Sequence, residues 1–456
     1  MSLPRDYSTT LTTRFSYYVL AVATLLAVGI AESDQRYILL GVSMVLLGVF
    51  LRGFVEISLS NLSKLRIDHY VKGFLEGDEI SVSFIFNNRS IIPILFAEVL
   101  VDHTKHLKRV SNSRFLVNLL PKSALEIKVV FIGRVGTHRI GPVKIVLRDP
   151  LGLYRTQEIV LYKEFYVRIY PKTTYTILRR IYSYARSIGL SRSREAGEGV
   201  EFRSVRDYRP GDDMRRIVWK IYARTGRLVV KEMEKESSLK ILYLIIASED
   251  MFKGVYGSTP YEQIARVISA VSRYVASRSD LQTILMLIPS GLSEVHRFAR
   301  GHESHMNILK ILSSINYEAI FVSSSPPHSG EISRETIGSR IDLLIKKITD
   351  LISREKTLIM IFTDPIASSV EEFHKLISFL RGGGHKVIIL IPLRSLYDIG
   401  SLKDLPALLY RIKILDETRR EEELIRRFRS MGISTVALRP EQMIQSIVAE
   451  IETFRY

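Results

Sequence analysis

Two apolar runs open the chain, Phe15 to Ile30 and Tyr37 to Phe50, separated by the polar link Ala31 to Arg36. Each run is a little short of the roughly 20 residues that cross a bilayer, and the second lengthens past Arg52 if that guanidinium reaches to the interface. The pattern predicts a two-helix membrane hairpin within residues 1–54. A cleavable signal peptide is the competing reading of the first run, with Arg5 and Arg14 as its charged flank, but a second apolar run following at once argues against it. Arg5, Arg14, Arg52, Lys64 and Arg66 flank the outer ends while the link holds Glu32 and Asp34. The positive-inside rule therefore predicts a multi-pass protein of the cell membrane whose soluble domains face the cytoplasm.

The period changes to two over residues 55–170. Ile80, Val82, Phe84 and Phe86 alternate with polar positions, as do Leu125, Ile127, Val129 and Phe131, and turn residues fall between the runs. An antiparallel β-sandwich is expected, immunoglobulin-like in length and strand spacing, although without a Cys-Trp-Cys framework. Residues 171–239 read as a linker, with a helix and the basic run Arg179, Arg180, Arg186, Arg192 and Arg194. From 240 to 456 short apolar runs alternate with amphipathic stretches. Strands are expected at Ile241 to Ala247, Thr283 to Ile288, Leu358 to Phe362, Val387 to Ile391, Arg411 to Leu415 and Ser434 to Leu438. Helices are expected at Tyr261 to Val275, Ile341 to Ile352, Val370 to Leu380, Arg419 to Ser430 and Glu441 to Phe454. That alternation predicts a doubly wound α/β domain with a parallel sheet.

Composition narrows the chemistry. The 456 residues carry a formal charge of +17, which suits a phosphate-rich or acidic partner surface. There is no cysteine, so disulfides, thiolate metal sites and cysteine nucleophiles are excluded.

Between Gly199 and Met233 the chain reads GVEFRSVRDYRPGDDMRRIVWKIYARTGRLVVKEM and contains the only tryptophan, Trp219. Pro210-Gly211 marks a tight turn, after which Asp212 or Asp213 can cap a helix bearing Met214, Ile217, Ile221 and Tyr222, ended by Gly226, with a strand from Leu228 to Lys231. Glu201, Phe202, Arg206, Tyr208, Pro210, Gly211, Asp212, Asp213, Arg215, Trp219, Ala223, Arg224, Thr225 and Gly226 resemble the signature of the domain-of-unknown-function 58 family. So does RVGTHRIGPVKIVLRDPLGL, Arg134 to Leu153. The resemblance implies a von Willebrand factor A-like domain after the signature. It also implies a working partner, a MoxR-type AAA+ ATPase, in assembling or maturing protein complexes.

In an open parallel sheet a site lies at the carboxyl ends of the strands, here after Ala247 and Phe362. A von Willebrand A domain is expected to bind a divalent cation there through Asp-x-Ser-x-Ser, a loop Thr and a later Asp. This chain has Ile246 and Asp250 where that motif has its first Asp and last Ser. Ser248 is kept, and Asp364 after Thr363 matches the late carboxylate. Ser248, Asp250 and Asp364 are the candidate ligands for Mg²⁺ and, with Thr363, the candidate partner face. Ser323 to Ser325 and Ser329 compete for the part of the loop Thr. The substitutions point to a degenerate cation site and no cofactor.

Enzyme signatures are wanting. Gly382-Gly383-Gly384 lacks the phosphate-loop pattern and reads as a helix-ending turn. His296, His302 and His305 have no ligand spacing and read as exposed helix positions. Arginines beside Asp207, Asp212 and Asp213 favour fixed ion pairs over acid–base chemistry. The expectation is a non-enzymatic, membrane-anchored scaffold or adaptor. The alternatives are a nucleic-acid or anionic-lipid binder and a hydrolase with an unrecognised site. No basic, aromatic-interleaved nucleic-acid motif supports the first of these.

Overall fold

A computed structural model describes residues 9–173, 196–234, 239–254, 259–323, 333–352, 355–364, 370–392, 425–430, 435–438 and 440–455, and the single positions 179, 183, 419, 422 and 423. The chain divides into two compact units, Met1–Ile169 and Tyr170–Tyr456.

In the first unit, α1 (Thr13–Ala31) and α2 (Gln35–Asn61) form an antiparallel pair, and the Asp34 carboxylate caps α2 by accepting from Arg36 N at 2.8 Å. Both are long and apolar enough to cross a membrane. Their apolar side chains are mostly exposed, as in Leu20, Ile30, Leu39, Leu46, Val49 and Phe50, which a soluble core helix would not tolerate. Helix α2 runs on to Asn61, so residues 55–61 are helical where period-two strand was expected to begin. Leu51, Val55, Ser58 and Leu62 are buried at helical spacing, and the small, polar Ser58 conceals that stripe in the sequence.

Beyond α2 the unit is antiparallel sheet. One sheet has the order β2 (Leu65–Lys72), β3 (Glu79–Asn88), β7 (Ala124–Gly133), β5 (Leu107–Arg109). The other has the order β10 (Ile159–Tyr162), β8 (Gly136–Leu147), β4 (Ile94–His103), β6 (Arg114–Leu119), with β11 (Phe165–Ile169) also pairing β8. A short ribbon joins β1 (Thr9–Leu11) to β9 (Tyr154–Thr156). Phe84, Phe86 and Phe131 of the first sheet share a core with Val99, Val143 and Ile145 of the second and with Leu51, Val55 and Leu62. The Asp-Pro-x-Gly-Leu turn is built by Asp149, whose carboxylate accepts from Leu151 N at 2.9 Å and Tyr154 N at 2.6 Å. Gly152 there has φ 70°, a left-handed conformation that favours glycine.

The second unit is built on a six-stranded sheet with the order β16 (Gly291–Leu292), β15 (Leu281–Ile288), β14 (Lys240–Ile246), β17 (Leu358–Thr363), β18 (Lys386–Pro392), β19 (Thr435–Leu438). All neighbours are parallel except β16, which turns back on β15. Near-continuous Ile, Leu, Val and Met in β14, β17 and β18 fit strands buried on both faces. Helices connect the strands: α4 (Pro260–Ser277), α5 (Gly301–Leu312), α6 (Tyr317–Ser323), α7 (Ser333–Leu351), α8 (Val370–Gly382) and α9 (Pro440–Arg455). Thr259 and Glu262 close a reciprocal capping box on α4. At the opposite end of the strands from the candidate site, Arg455 of α9 pairs with buried Asp280, while Tyr274 Oη donates to Glu452 at 2.7 Å. The expected strand at Arg411 to Leu415 and nearly all of the linker helix lie outside the described residues.

Upstream of this sheet, β12 (Ala196–Asp207) and β13 (Val229–Glu234) form a separate antiparallel ribbon. Residues 208–228 make an excursion between them, including α3 (Trp219–Thr225).

Candidate functional site

Strand order reverses between β14 and β17. The chain lays β15 to one side of β14 and β17, β18 and β19 to the other, so the switch point at which open α/β sheets place their sites falls at the carboxyl ends of β14 and β17. Ile246 pairs in register with Thr363, so the residues that follow each strand are neighbours. Ser248 and Asp364 meet there. Ser248 Oγ donates to Asp364 Oδ2, and Ser248 N donates to Oδ1 at 3.3 Å. Ser248 Oγ also accepts from Asp250 N at 3.2 Å, which caps the 3₁₀ turn Glu249–Phe252. Met251 and Phe252 anchor that turn beneath the surface, with the Phe252 ring 4.9 Å from that of Tyr261.

Asp364 is 8% exposed. Burial, with the charge of Asp250 adding to it, pushes its carboxyl up to about 6 against the hydrogen bonds from Ser248. Asp250 points to a different partner: Lys253 Nζ lies 3.1 Å from its Oδ1 and 2.8 Å from Glu249 Oε1.

The sequence thus brings Ser248, Asp250 and Asp364 together, but not as a cation cage. A hard divalent ion wants several free oxygen ligands, and here an ammonium already bridges two of the three nearby carboxylates. No group of three or more His, Asp or Glu that could hold a metal occurs among the described residues. Ile246 is 2% exposed and belongs to the core, which accounts for the apolar residue at that motif position. The donor set does not fit Mg²⁺. Thr363, expected on the face, is buried, and its hydroxyl donates to the Asp364 carbonyl at 3.3 Å. Of the candidates for the loop Thr, Ser323 ends α6, while Ser324, Ser325 and Ser329 lie outside the described residues. Lys253 is the residue the sequence reading missed; its position three and four residues after Asp250 and Glu249 was the available signal.

The signature segment is organised by one ion pair. Arg206 on β12 presents both Nη atoms to Asp212, each at 2.7 Å, and Arg209 N donates to Asp212 Oδ2 at 2.9 Å. Arg206 holds the Asp212 carboxyl down at about 2. Pro210 and Gly211 form the turn that brings Asp212 round, with Asp212 N donating to Arg209 O at 3.1 Å. Asp213 accepts from Arg215 N at 3.0 Å. The single helix expected here is split. Met214–Arg216 is a 3₁₀ turn, Ile217 bridges to Val230, and α3 begins only at Trp219. Ile217 shares the helical spacing, but its pairing with β13 is non-local and decides its conformation. Tyr208 N donates to Leu228 O at 2.9 Å, and Arg224 stands in the last turn of α3, which Gly226 ends at φ 67°. Glu201 lies on β12.

His302 and His305 are on α5, as expected of helix positions, whereas His296 precedes it. His305 is buried, not exposed: Nδ1 lies 2.7 Å from Ser272 Oγ, and desolvation, aided by the positive charge of Arg273, pushes it down to about 4.

A family profile described as "Protein of unknown function DUF58" matches residues 204–393, from β12 to just past β18, and so includes the signature segment and the Ser248–Asp364 pair. No curated protein gives a match. Among solved structures, trypsin-activated alpha-2-macroglobulin from Escherichia coli is 10% identical, covering 86% of this chain and 29% of its own, with a TM-score of 0.19. Bacteroides uniformis beta-glucuronidase is also 10% identical, covering 72% and 40%, with a TM-score of 0.15. The chain spans less than half the length of either, and similarity at that level carries no conclusion about fold or activity.

Proposed function

We propose that this protein is a membrane-anchored scaffold or adaptor, without enzymatic activity, whose strand-end face binds a protein partner. The observation that carries the reading is the meeting of Ser248, Asp250 and Asp364 at the point where strand order reverses. There the carboxylates are satisfied by a hydroxyl, backbone N–H groups and Lys253 rather than held ready for a cation. The second unit is read as von Willebrand A-like, its sheet carrying two strands on one side of the first and three on the other. The two-sheet region of the first unit is read as immunoglobulin-like. Under this reading α1 and α2 anchor the chain, with the soluble parts in the cytoplasm, and a partner's hydrogen-bonding groups dock on the strand ends. The resemblance to the DUF58 signature supplies the candidate partner, a MoxR-type AAA+ ATPase acting in complex assembly.

The test is a pull-down of the full-length protein from mildly solubilised native membranes, with and without ATP, followed by mass spectrometry. Recovery of an AAA+ ATPase that is lost with Asp250→Arg, a surface change, and with Asp364→Ala is the expected result. Recovery of nucleic acid or lipid alone would overturn the adaptor reading.

A further inference from the structure

The excursion between β12 and β13 carries several of its apolar side chains outward. Met214 is 66% exposed, Trp219 58% and Tyr222 43%, and the Trp219 and Tyr222 rings meet edge-on at 6.2 Å. An indole and a phenol left in water so near each other are costly unless something covers them. The charged residues near them in sequence are mostly positive. Residues 208–228 contain Arg209, Arg215, Arg216, Lys220, Arg224 and Arg227 against only Asp212 and Asp213. Asp212 is consumed by Arg206, and Asp213 accepts from the backbone of Arg215. None of the six basic side chains makes a salt bridge among the described residues, although most are exposed. The excursion therefore joins exposed amphipathic aromatics to nearby basic residues that form no salt bridge among the described residues.

We propose that this excursion docks on an anionic phospholipid bilayer, Trp219, Tyr222 and Met214 entering the headgroup region and the surrounding arginines and Lys220 pairing with lipid phosphates. Trp and Tyr settle at the membrane interface because one end of each ring system is apolar and the other polar. Long basic side chains lay their stems on the apolar boundary and keep their charges among the phosphates, an attraction that adds with each Lys or Arg. The excursion stands on its own two-stranded ribbon, outside the six-stranded sheet. The same chain also carries two helices that could cross a bilayer, which would hold a lipid surface at high effective concentration.

Trp219 is the only tryptophan, so the intact protein reports on this patch by itself. Full-length protein would be reconstituted into phosphatidylcholine vesicles with and without phosphatidylglycerol, with dibrominated acyl chains as the quencher. The expected result is a blue shift and bromine quenching of Trp219 that need phosphatidylglycerol and are lost at high salt. The triple variant Arg215→Glu, Lys220→Glu, Arg224→Glu should keep water-like emission with an unchanged unfolding midpoint. Water-like emission of the unmodified protein in both lipids would overturn the proposal without reference to any variant. So would a blue shift without bromine quenching, which would mean that a protein surface covers the indole, or quenching of equal size in the neutral vesicles.

Discussion

The hydroxyl of Ser248 donates to Oδ2 of Asp364 across 116 positions of sequence, tying the loop after β14 to the loop after β17 where the strand order reverses. Because Asp364 is buried, this bond links the site to the stability of the fold, and its pH dependence follows from the sign of the shift.

Asp364 keeps its proton up to about pH 6 in the folded chain and loses it near 3.8 when unfolded. Between those values the unfolded state releases a proton that the folded state retains, so the contribution of this group to stability falls as pH rises from about 4 to 6, by about 3 kcal/mol. Asp364→Asn keeps the shape and removes the titration. Its unfolding midpoint should exceed that of the unmodified protein at pH 7 and match it near pH 4, as measured by thermal unfolding in detergent.

His305 has the opposite slope. Its folded value of about 4 lies below the ordinary 6.5, so stability is fully present above pH 6.5 and is lost as pH falls toward 4. His305→Gln should remove that acid sensitivity and leave the falling trend of Asp364 in view. The unmodified protein, in which the two oppose, should have a flatter midpoint profile between pH 4 and 6.5 than either variant.

Millimolar Mg²⁺ should leave the unfolding midpoint unchanged, because Lys253 already pairs with both Glu249 and Asp250. A concentration-dependent rise abolished by Asp364→Asn would show that a cation displaces the lysine.

Arg206→Lys should loosen the excursion although it conserves charge, since an ammonium cannot grip both oxygens of Asp212. Hydrogen exchange at the Tyr208 and Val218 amides, which are bonded to Leu228 and Val229, should quicken while the amides of β14 stay protected.

Thr259→Ala removes the hydroxyl that accepts from Glu262 N and leaves the buried Glu262 carboxylate with one donor fewer. The expected loss is about 1–2 kcal/mol, read as a lower unfolding midpoint.

The buried strands were legible because continuous Ile, Leu and Val runs have few other uses in a chain of this composition. The meeting of Ser248 with Asp364 was legible too, since sheet topology alone puts those loops side by side. Three features were not. Ser58 interrupts an apolar stripe and hides the helical period of the last turns of α2. Ile217 sits at helical spacing but is claimed by Val230 of a strand not yet formed when the sequence is read in order. His305 carries a polar side chain into the contact between α4 and α5, where Ser272 receives it; a local pattern treats such a residue as surface.

Helix α2 is one unbroken rod about 40 Å long, and its last turns are built into the core of the first unit's sheets. There is no joint between the two. If the apolar part of α2 crosses a bilayer, any tilt that lipid thickness imposes on the helix becomes a tilt of the sheets through the same angle. The first unit would then act as a pointer fixed to its axle, its heading set by the membrane rather than by a free swivel.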